Sequence, residues 1–235
     1  MLTPDLQRPP LSRVVAWREV GLAVVVLWSV LGGACFFLGA QSIYDRWGTS
    51  LNATLVLDVV FLIGCLAVIG FVFWRQRRQG EGIVELGWGR PVRMPVIVIA
   101  VVYGLAWTTM SYMRGGDPLA FPWQRPIMMA IGLVLAFAEE IAVRGLILDR
   151  LARCGTSRII QIVVTAGIMA VYHGVVGHSV WPSYMVSSFV LFGVLSVIYV
   201  YGGRSLTPVY IAHAMAHFLG DPALMQGVLY GVGAG

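Results

Sequence analysis

Charged residues are scarce in this chain of 235 residues. Asp, Glu, Lys and Arg make up 11% of the sequence, whereas 58% is hydrophobic. A soluble domain has about 25% charged residues, so this composition excludes an ordinary soluble protein and predicts an integral membrane protein. Lysine is absent, and all 16 basic residues are arginine. Because the arginines lie at the ends of apolar runs and form no basic patch, we predict no binding to nucleic acid.

Cysteine and two common catalytic motifs are also missing or rare. The three cysteines form no CxxC pair, which excludes a disulfide framework or a thioredoxin-like redox site. Neither the HExxH motif of zinc hydrolases nor the GxSxG elbow of serine hydrolases occurs in the sequence. Any hydrolytic chemistry must therefore use other residues.

Long apolar runs are abundant. About 20 apolar residues cross a bilayer as a helix, and seven runs approach or exceed that length. They are residues 20–40, 51–74, 95–113, 126–151, 159–177, 184–201 and 206–219. The apolar tail 223–235 is suited to a partial or re-entrant eighth element. We predict an all-α, polytopic transmembrane bundle of about seven spans, with residues 1–18 as a cytoplasmic lead-in and 19–235 as a single membrane domain.

The arginines predict the orientation of the bundle. Twelve of the 16 arginines precede the first span or lie in the second, fourth and sixth connections. Only three lie in the connections on the opposite side, and the last one, Arg144, lies within a span. Cytoplasmic loops of membrane proteins carry such an excess of positive charge. We therefore expect a protein of the plasma (inner) membrane whose N-terminus is cytoplasmic.

Three ionisable residues lie inside the fourth predicted span. Glu139, Glu140 and Arg144 fall within six residues of an otherwise apolar run. Each costs roughly 2.5 kcal/mol or more at membrane depth, so they indicate a functional site. Glu140 and Arg144 are four residues apart and should touch on one helix face. Glu139 is turned by about 100° from Glu140 and should face a neighbouring helix or cavity. A packing ion pair explains Glu140 and Arg144 but leaves Glu139 without a partner.

Histidines occur in two later spans. His213 and His217 are four residues apart and share one helix face, which is more than packing alone requires. His173 in the fifth span is equally compatible, taken by itself, with a hydrogen-bonded packing residue. The expected depths of these histidines and Glu139 are compatible with one polar cavity.

Three ordered motifs carry a resemblance to a known family. On one span two adjacent acids precede an arginine. On the next span an apolar residue lies four positions before a histidine. On a late span two histidines lie four positions apart. The motif residues are Glu139, Glu140, Arg144, Met169, His173, His213 and His217. They resemble the CPBP family, the glutamic intramembrane proteases related to the CAAX prenyl endopeptidase Rce1. The resemblance covers residues 126–221, and the Leu-Gly-Trp-Gly-Arg-Pro segment 86–91 resembles the family's upstream linker. In that family the second motif usually begins with Phe, where this chain has Met169. The last motif usually ends in Asn or Asp, where this chain has His217.

The resemblance implies an intramembrane endopeptidase that needs no cofactor. Glu139 would act as general base on a water that His173 also holds. His213 and His217 would donate hydrogen bonds to the oxyanion of the tetrahedral intermediate, while the ion pair of the first motif holds the geometry. The substrate would be a membrane-embedded protein or a lipidated, membrane-anchored peptide.

Other functions remain open at the level of sequence. His173, His213 and His217 together with a glutamate are suitable ligands for zinc, which would make the protein a zinc-dependent intramembrane protease. A proton relay or transporter would need inverted repeats or broken helices, and the sequence has neither. A third alternative is a non-proteolytic scaffold or immunity protein of the same fold, which would tolerate the loss of Glu139.

Overall fold

The computed structural model describes residues 8–33, 41–48, 50–113, 119, 121–176 and 181–220. These residues are helices and connections without any strand, which confirms the all-helical membrane fold. The helices are α1 Arg13–Leu27, α2 Gln41–Trp47, α3 Leu51–Arg78, α4 Met94–Met113, α5 Gln124–Glu140, α6 Asp149–Arg153, α7 Arg158–Val176, α8 Trp181–Tyr201 and α9 Leu206–Phe218. A π-helical stretch, Ile141–Leu148, joins α5 to α6 without a break.

The predicted count of seven membrane spans is not confirmed by helix length and composition. Within the described residues, five helices are long and apolar enough to cross a bilayer. They are Arg13–Gly33, Leu51–Arg78, Met94–Met113, Gln124–Arg153 and Pro182–Tyr201. The apolar part of α7, Arg158–Gly174, is shorter, and α9 has 13 residues. At 1.5 Å per residue α9 is about 20 Å long, against a hydrocarbon core of about 30 Å. The predicted eighth element, 223–235, lies outside the described residues.

The first helix begins earlier than its apolar pattern indicates. It starts at Arg13, within the segment predicted as a lead-in, because the Ser12 hydroxyl caps it by accepting a hydrogen bond from Val15 N at 3.3 Å. A serine in this position satisfies one of the free N–H groups of the first turn. The polar start of the helix was therefore set by capping chemistry and not by hydrophobicity.

Close helix contacts position α9 between α4 and α5. A Cβ atom on Gly104 of α4 would lie 2.9 Å from the carbonyl oxygen of Ala212, and a Cβ atom on Gly132 of α5 would lie 2.8 Å from the Cβ of His217. Only glycine allows backbones to approach this closely in a membrane bundle. On the other side, α7 and α8 form the most extensive helix pair in the structure.

The connection before α4 packs against the ends of α5 and α9. Gly87 has a φ of 100°, which favours glycine, and its carbonyl accepts a hydrogen bond from Leu206 N at 2.9 Å. The next residue, Trp88, makes edge-to-face contacts with Phe137 and Tyr210, with ring centroids 5.2 Å and 5.5 Å away. The segment that resembled the family's linker thus contacts both α5, which carries Glu139 and Glu140, and α9, which carries the two late histidines.

An ion-pair network fixes the far end of the helix that carries the acids. Arg150 is fully buried and bonds to Asp149 at 2.6 Å and to Gln76 of α3 at 3.0 Å. Arg153 bonds to Glu81 at 2.6 Å. Because these contacts join α6 to α3 and its following turn, they hold the depth of the continuous α5–α6 helix.

Candidate active site

The structure brings the six predicted site residues together in the interior of the bundle. They lie at the end of α5, in the π-helical stretch, on α7 and on α9, and are Glu139, Glu140, Arg144, His173, His213 and His217. Glu140 and Arg144 have no exposed surface, and Glu139 and His213 are 2% exposed. Buried charges are tolerated only when they are paired and hydrogen-bonded, so the contacts among these residues define what the site can do.

Arg144, Glu140 and His213 form a continuous hydrogen-bonded chain. Arg144 Nη1 lies 3.0 Å from Glu140 Oε1, as the spacing of four residues predicts. The same oxygen lies 2.9 Å from His213 Nδ1. Arg144 Nη2 also donates to the carbonyl oxygen of Phe192 at 2.8 Å, and its guanidinium lies 5.1 Å from the Phe192 ring centroid. Glu140 therefore links a fixed cation to an imidazole on another helix.

The hydrogen-bond partners assign the tautomers of the three histidines. Glu140 accepts from Arg144, so His213 Nδ1 must carry a proton to bond to the same carboxylate. In a neutral ring His213 Nε2 is then an acceptor, and His217 Nε2, 3.2 Å away, must donate to it. His173 Nδ1 lies 2.8 Å from the carbonyl oxygen of Met169 and must donate as well. With all three rings neutral, every histidine N–H is already used.

Glu139 has a different environment from Glu140. The Tyr172 hydroxyl makes a hydrogen bond with Glu139, and Glu139 Oε2 lies 3.8 Å from His213 Nε2. This Oε2 atom is buried and has no hydrogen-bond partner among the described residues. Glu140 Oε2 is likewise buried without a hydrogen-bond partner, so the two acids differ in their pairing. Glu140 bonds to Arg144 and His213, and among the described residues no hydrogen bond joins Glu139 to either.

His173 lies in an aromatic environment and does not bond to Glu139. Its ring centroid is 4.8 Å from that of Phe192, 5.3 Å from that of Tyr184 and 4.8 Å from that of Tyr172. Within the described residues the only hydrogen bond of its ring is the one to Met169. The predicted cooperation of Glu139 with His173 therefore needs a bridging water or a substrate.

A small cavity opens beside the histidines. Its volume is about 60 Å³, and α4, α7, α8 and α9 contribute to its wall. Ordered water needs roughly 10–15 Å³, so the cavity is large enough for several molecules. The polar lining residues are His173, His213, His217, Ser111, Tyr184, Ser187 and Ser188. The two glutamates are not part of this wall and lie behind His213.

Sequence reasoning missed three residues of the site, namely Tyr172, Phe192 and Ser188. Phe192 contacts the rings of His173 and His213 as well as the Arg144 guanidinium. Ser188 and Phe192 are four residues apart on α8, so they share a face one turn apart. This spacing was visible in the sequence, but nothing in it indicated that the face turns toward the histidines.

The described residues contain no group of three or more His, Cys, Asp or Glu side chains placed to hold a metal ion. The zinc alternative from His173, His213 and His217 therefore gains no ligand set from this geometry. The expectation that the protein needs no cofactor stays a prediction.

The chain is similar to a known family over part of its length. Residues 121–219 match the model described as type II CAAX prenyl endopeptidase Rce1-like. All six candidate site residues fall within this range. No curated protein and no solved structure matches the chain. The matched model agrees with the family that the three motifs indicated.

Proposed function

We propose that this chain, whose residues 121–219 match the Rce1-like model of type II CAAX prenyl endopeptidases, is a glutamic intramembrane endopeptidase. The family match supports a CAAX-type intramembrane protease in general. The finer proposal is supported by the buried Arg144–Glu140–His213 chain, by Oε2 of Glu139, which has no partner among the described residues, and by a cavity for water beside His213.

Glu139 is the general base of the proposed reaction. Its free Oε2 accepts a proton from a water molecule while the water oxygen attacks the carbonyl carbon of the peptide bond. His173 lines the cavity, and because its Nδ1–H donates to the carbonyl oxygen of Met169, its Nε2 has a lone pair that can accept a hydrogen bond from the same water. The resulting tetrahedral oxyanion collapses, the carbon–nitrogen bond breaks, and the proton on Glu139 passes to the leaving amine.

Glu140 and Arg144 position the site and do not exchange protons in this proposal. Their ion pair fixes the carboxylate that orients His213. His213 and His217, which the resemblance implied as donors to the oxyanion, can donate only when the pair carries an additional proton, because the neutral rings use both N–H groups. Their function in the neutral state is to hold one another and the cavity wall.

The proposed substrate is a membrane-embedded protein or a lipidated, membrane-anchored peptide. The cavity is lined by α4 and α8, which are both candidate membrane spans, so a peptide bond must reach it from within or close to the bilayer. The orientation with a cytoplasmic N-terminus and the location in the plasma membrane belong to the same proposal, supported by the distribution of arginine.

The test compares the termini of membrane proteins in cells that make the wild type, Glu139→Gln or Glu85→Gln at equal levels. Glu85 is a suitable control because it lies in the connection before α4 and bonds to Gly82 N at 2.8 Å. We expect new termini in the wild type and in Glu85→Gln that disappear in Glu139→Gln. Identical termini in all three would refute the protease and favour the non-proteolytic scaffold.

A further inference from the structure

The hydrogen-bond network leaves the oxyanion of the proposed reaction without a histidine donor. Stabilising that oxygen requires a donor that is in place before the charge develops. In the neutral network His213 donates to Glu140, His217 donates to His213, and His173 donates to Met169. A donor must therefore come from another residue of the cavity wall.

Ser188 is a buried polar residue whose hydroxyl is not committed. It is 2% exposed, lines the cavity, and has no hydrogen bond with any described residue. Its position next to His173 follows from its neighbours on α8. Tyr184 and Phe192 lie one turn before and one turn after it, and their ring centroids are 5.3 Å and 4.8 Å from that of His173. Ser188 therefore lies between two rings that both contact this histidine.

Three other serines near the cavity already donate to carbonyl oxygens of their own helices. Ser187 donates to the carbonyl oxygen of Tyr184 at 3.1 Å, and Ser111 donates to that of Trp107 at 3.3 Å. Ser196, two turns beyond Ser188 on the same face, donates to the carbonyl oxygen of Phe192 at 2.8 Å. Serines in membrane helices commonly bond in this way to the preceding turn. Ser188 differs from all three because its proton is available to a ligand.

We propose that Ser188 is a catalytic residue whose hydroxyl donates a hydrogen bond to the substrate carbonyl oxygen and to the oxyanion that it becomes. This inference rests on the proposed function, because it assigns a donor to that reaction. The hydroxyl keeps its proton and forms no covalent bond, so the electron pair that moves onto the oxygen returns when the carbon–nitrogen bond breaks. The water remains the nucleophile and Glu139 remains the base.

The geometry does not support Ser188 as a nucleophile. An attacking serine needs a base within hydrogen-bond reach to remove its proton. No histidine nitrogen and no carboxylate oxygen among the described residues bonds to Ser188. A donor to the oxyanion needs no such base.

The experiment uses purified full-length protein in proteoliposomes. The substrate is the membrane protein whose new terminus depends on Glu139, so Glu139→Gln is included as the inactive reference. Ser188→Ala should lower kcat by about 10²–10³-fold with KM little changed, which is the usual effect of removing one oxyanion donor. Ser188→Thr retains a hydroxyl and should restore much of the rate. Thr109→Ala should behave as the wild type, because Thr109 lies outside the cavity wall and its hydroxyl bonds to the carbonyl oxygen of Leu105 in its own helix.

Two results would overturn the inference. One is a kcat for Ser188→Ala within about twofold of the wild type while Glu139→Gln is inactive. The other is covalent labelling of Ser188 by a fluorophosphonate probe, which would make it a nucleophile. An equal free energy of unfolding for Ser188→Ala and the wild type in detergent excludes a folding defect as the cause of a lower kcat. If Glu139→Gln still cuts the substrate, the proposed function itself fails, and this result is distinct from the other two.

Discussion

The buried ion pair between Glu140 and Arg144 leads to a quantitative prediction about stability. The side chains are 1% and 0% exposed, and Arg144 also bonds to the carbonyl oxygen of Phe192. Arg144→Met keeps an unbranched apolar side chain but removes the guanidinium, and it leaves the carboxylate of Glu140 in the interior with His213 as its remaining partner. Breaking a buried pair in this way costs about 3–5 kcal/mol. We expect the free energy of unfolding to fall by that amount.

A second substitution should recover part of this loss. Glu140→Gln in the Arg144→Met background removes the uncompensated charge while it retains a group that can bond to His213. The double variant should be about 1–3 kcal/mol more stable than Arg144→Met alone, since two residues in contact are not additive. Its proteolytic activity should remain low, because His213 no longer has a charged carboxylate to orient it.

Reversible unfolding in mixed micelles, followed as the fraction of a denaturing detergent rises, measures these free energies. Arg18→Met is the matched control, because Arg18 lies on an exposed face of α1. It should change the free energy of unfolding by no more than about 0.5 kcal/mol. If the double variant were no more stable than Arg144→Met, the loss would not come from a stranded charge, and the electrostatic account of the site would be wrong.

Two further substitutions test how the neighbours of the site hold it in place. Gly132→Ala would bring a Cβ atom to 2.8 Å from the Cβ of His217, so α9 must move; we expect a loss of about 1–3 kcal/mol in unfolding and a lower turnover. In Gly167→Ala the new Cβ has nothing within 4 Å, so this variant should leave the free energy of unfolding and the turnover unchanged. An equal effect of Gly132→Ala and Gly167→Ala would refute the contact between Gly132 and His217. Tyr172→Phe removes the hydroxyl that bonds to Glu139 and should lower kcat about tenfold with unfolding nearly unchanged. Full turnover of Tyr172→Phe in proteoliposomes would show that the base does not need this bond.

Local rules were sufficient to predict most of the helices and one essential contact. A helix is present at each of the seven predicted spans, and Glu140 touches Arg144, because hydrophobic runs and the four-residue spacing depend only on neighbours in sequence. The number of spans was less predictable. Whether a helix of 13 residues such as α9 crosses a membrane depends on its tilt and its partners, which the sequence does not encode locally.

The sequence predicted those functional side chains whose burial in a membrane costs much free energy. A glutamate or an arginine inside a span is so unfavourable that its presence alone indicates a site. A serine gives no such signal, because its hydroxyl can bond to a carbonyl of the preceding turn of its own helix. Ser187 and Ser188 are adjacent, chemically identical and equally able to form that bond, yet only Ser187 forms it. What distinguishes them is the rotation of α8 against α7 and α9, which places Ser188 beside His173 and leaves its proton free. Such a residue can be found only after the helices are packed, and its role must therefore be argued from contacts.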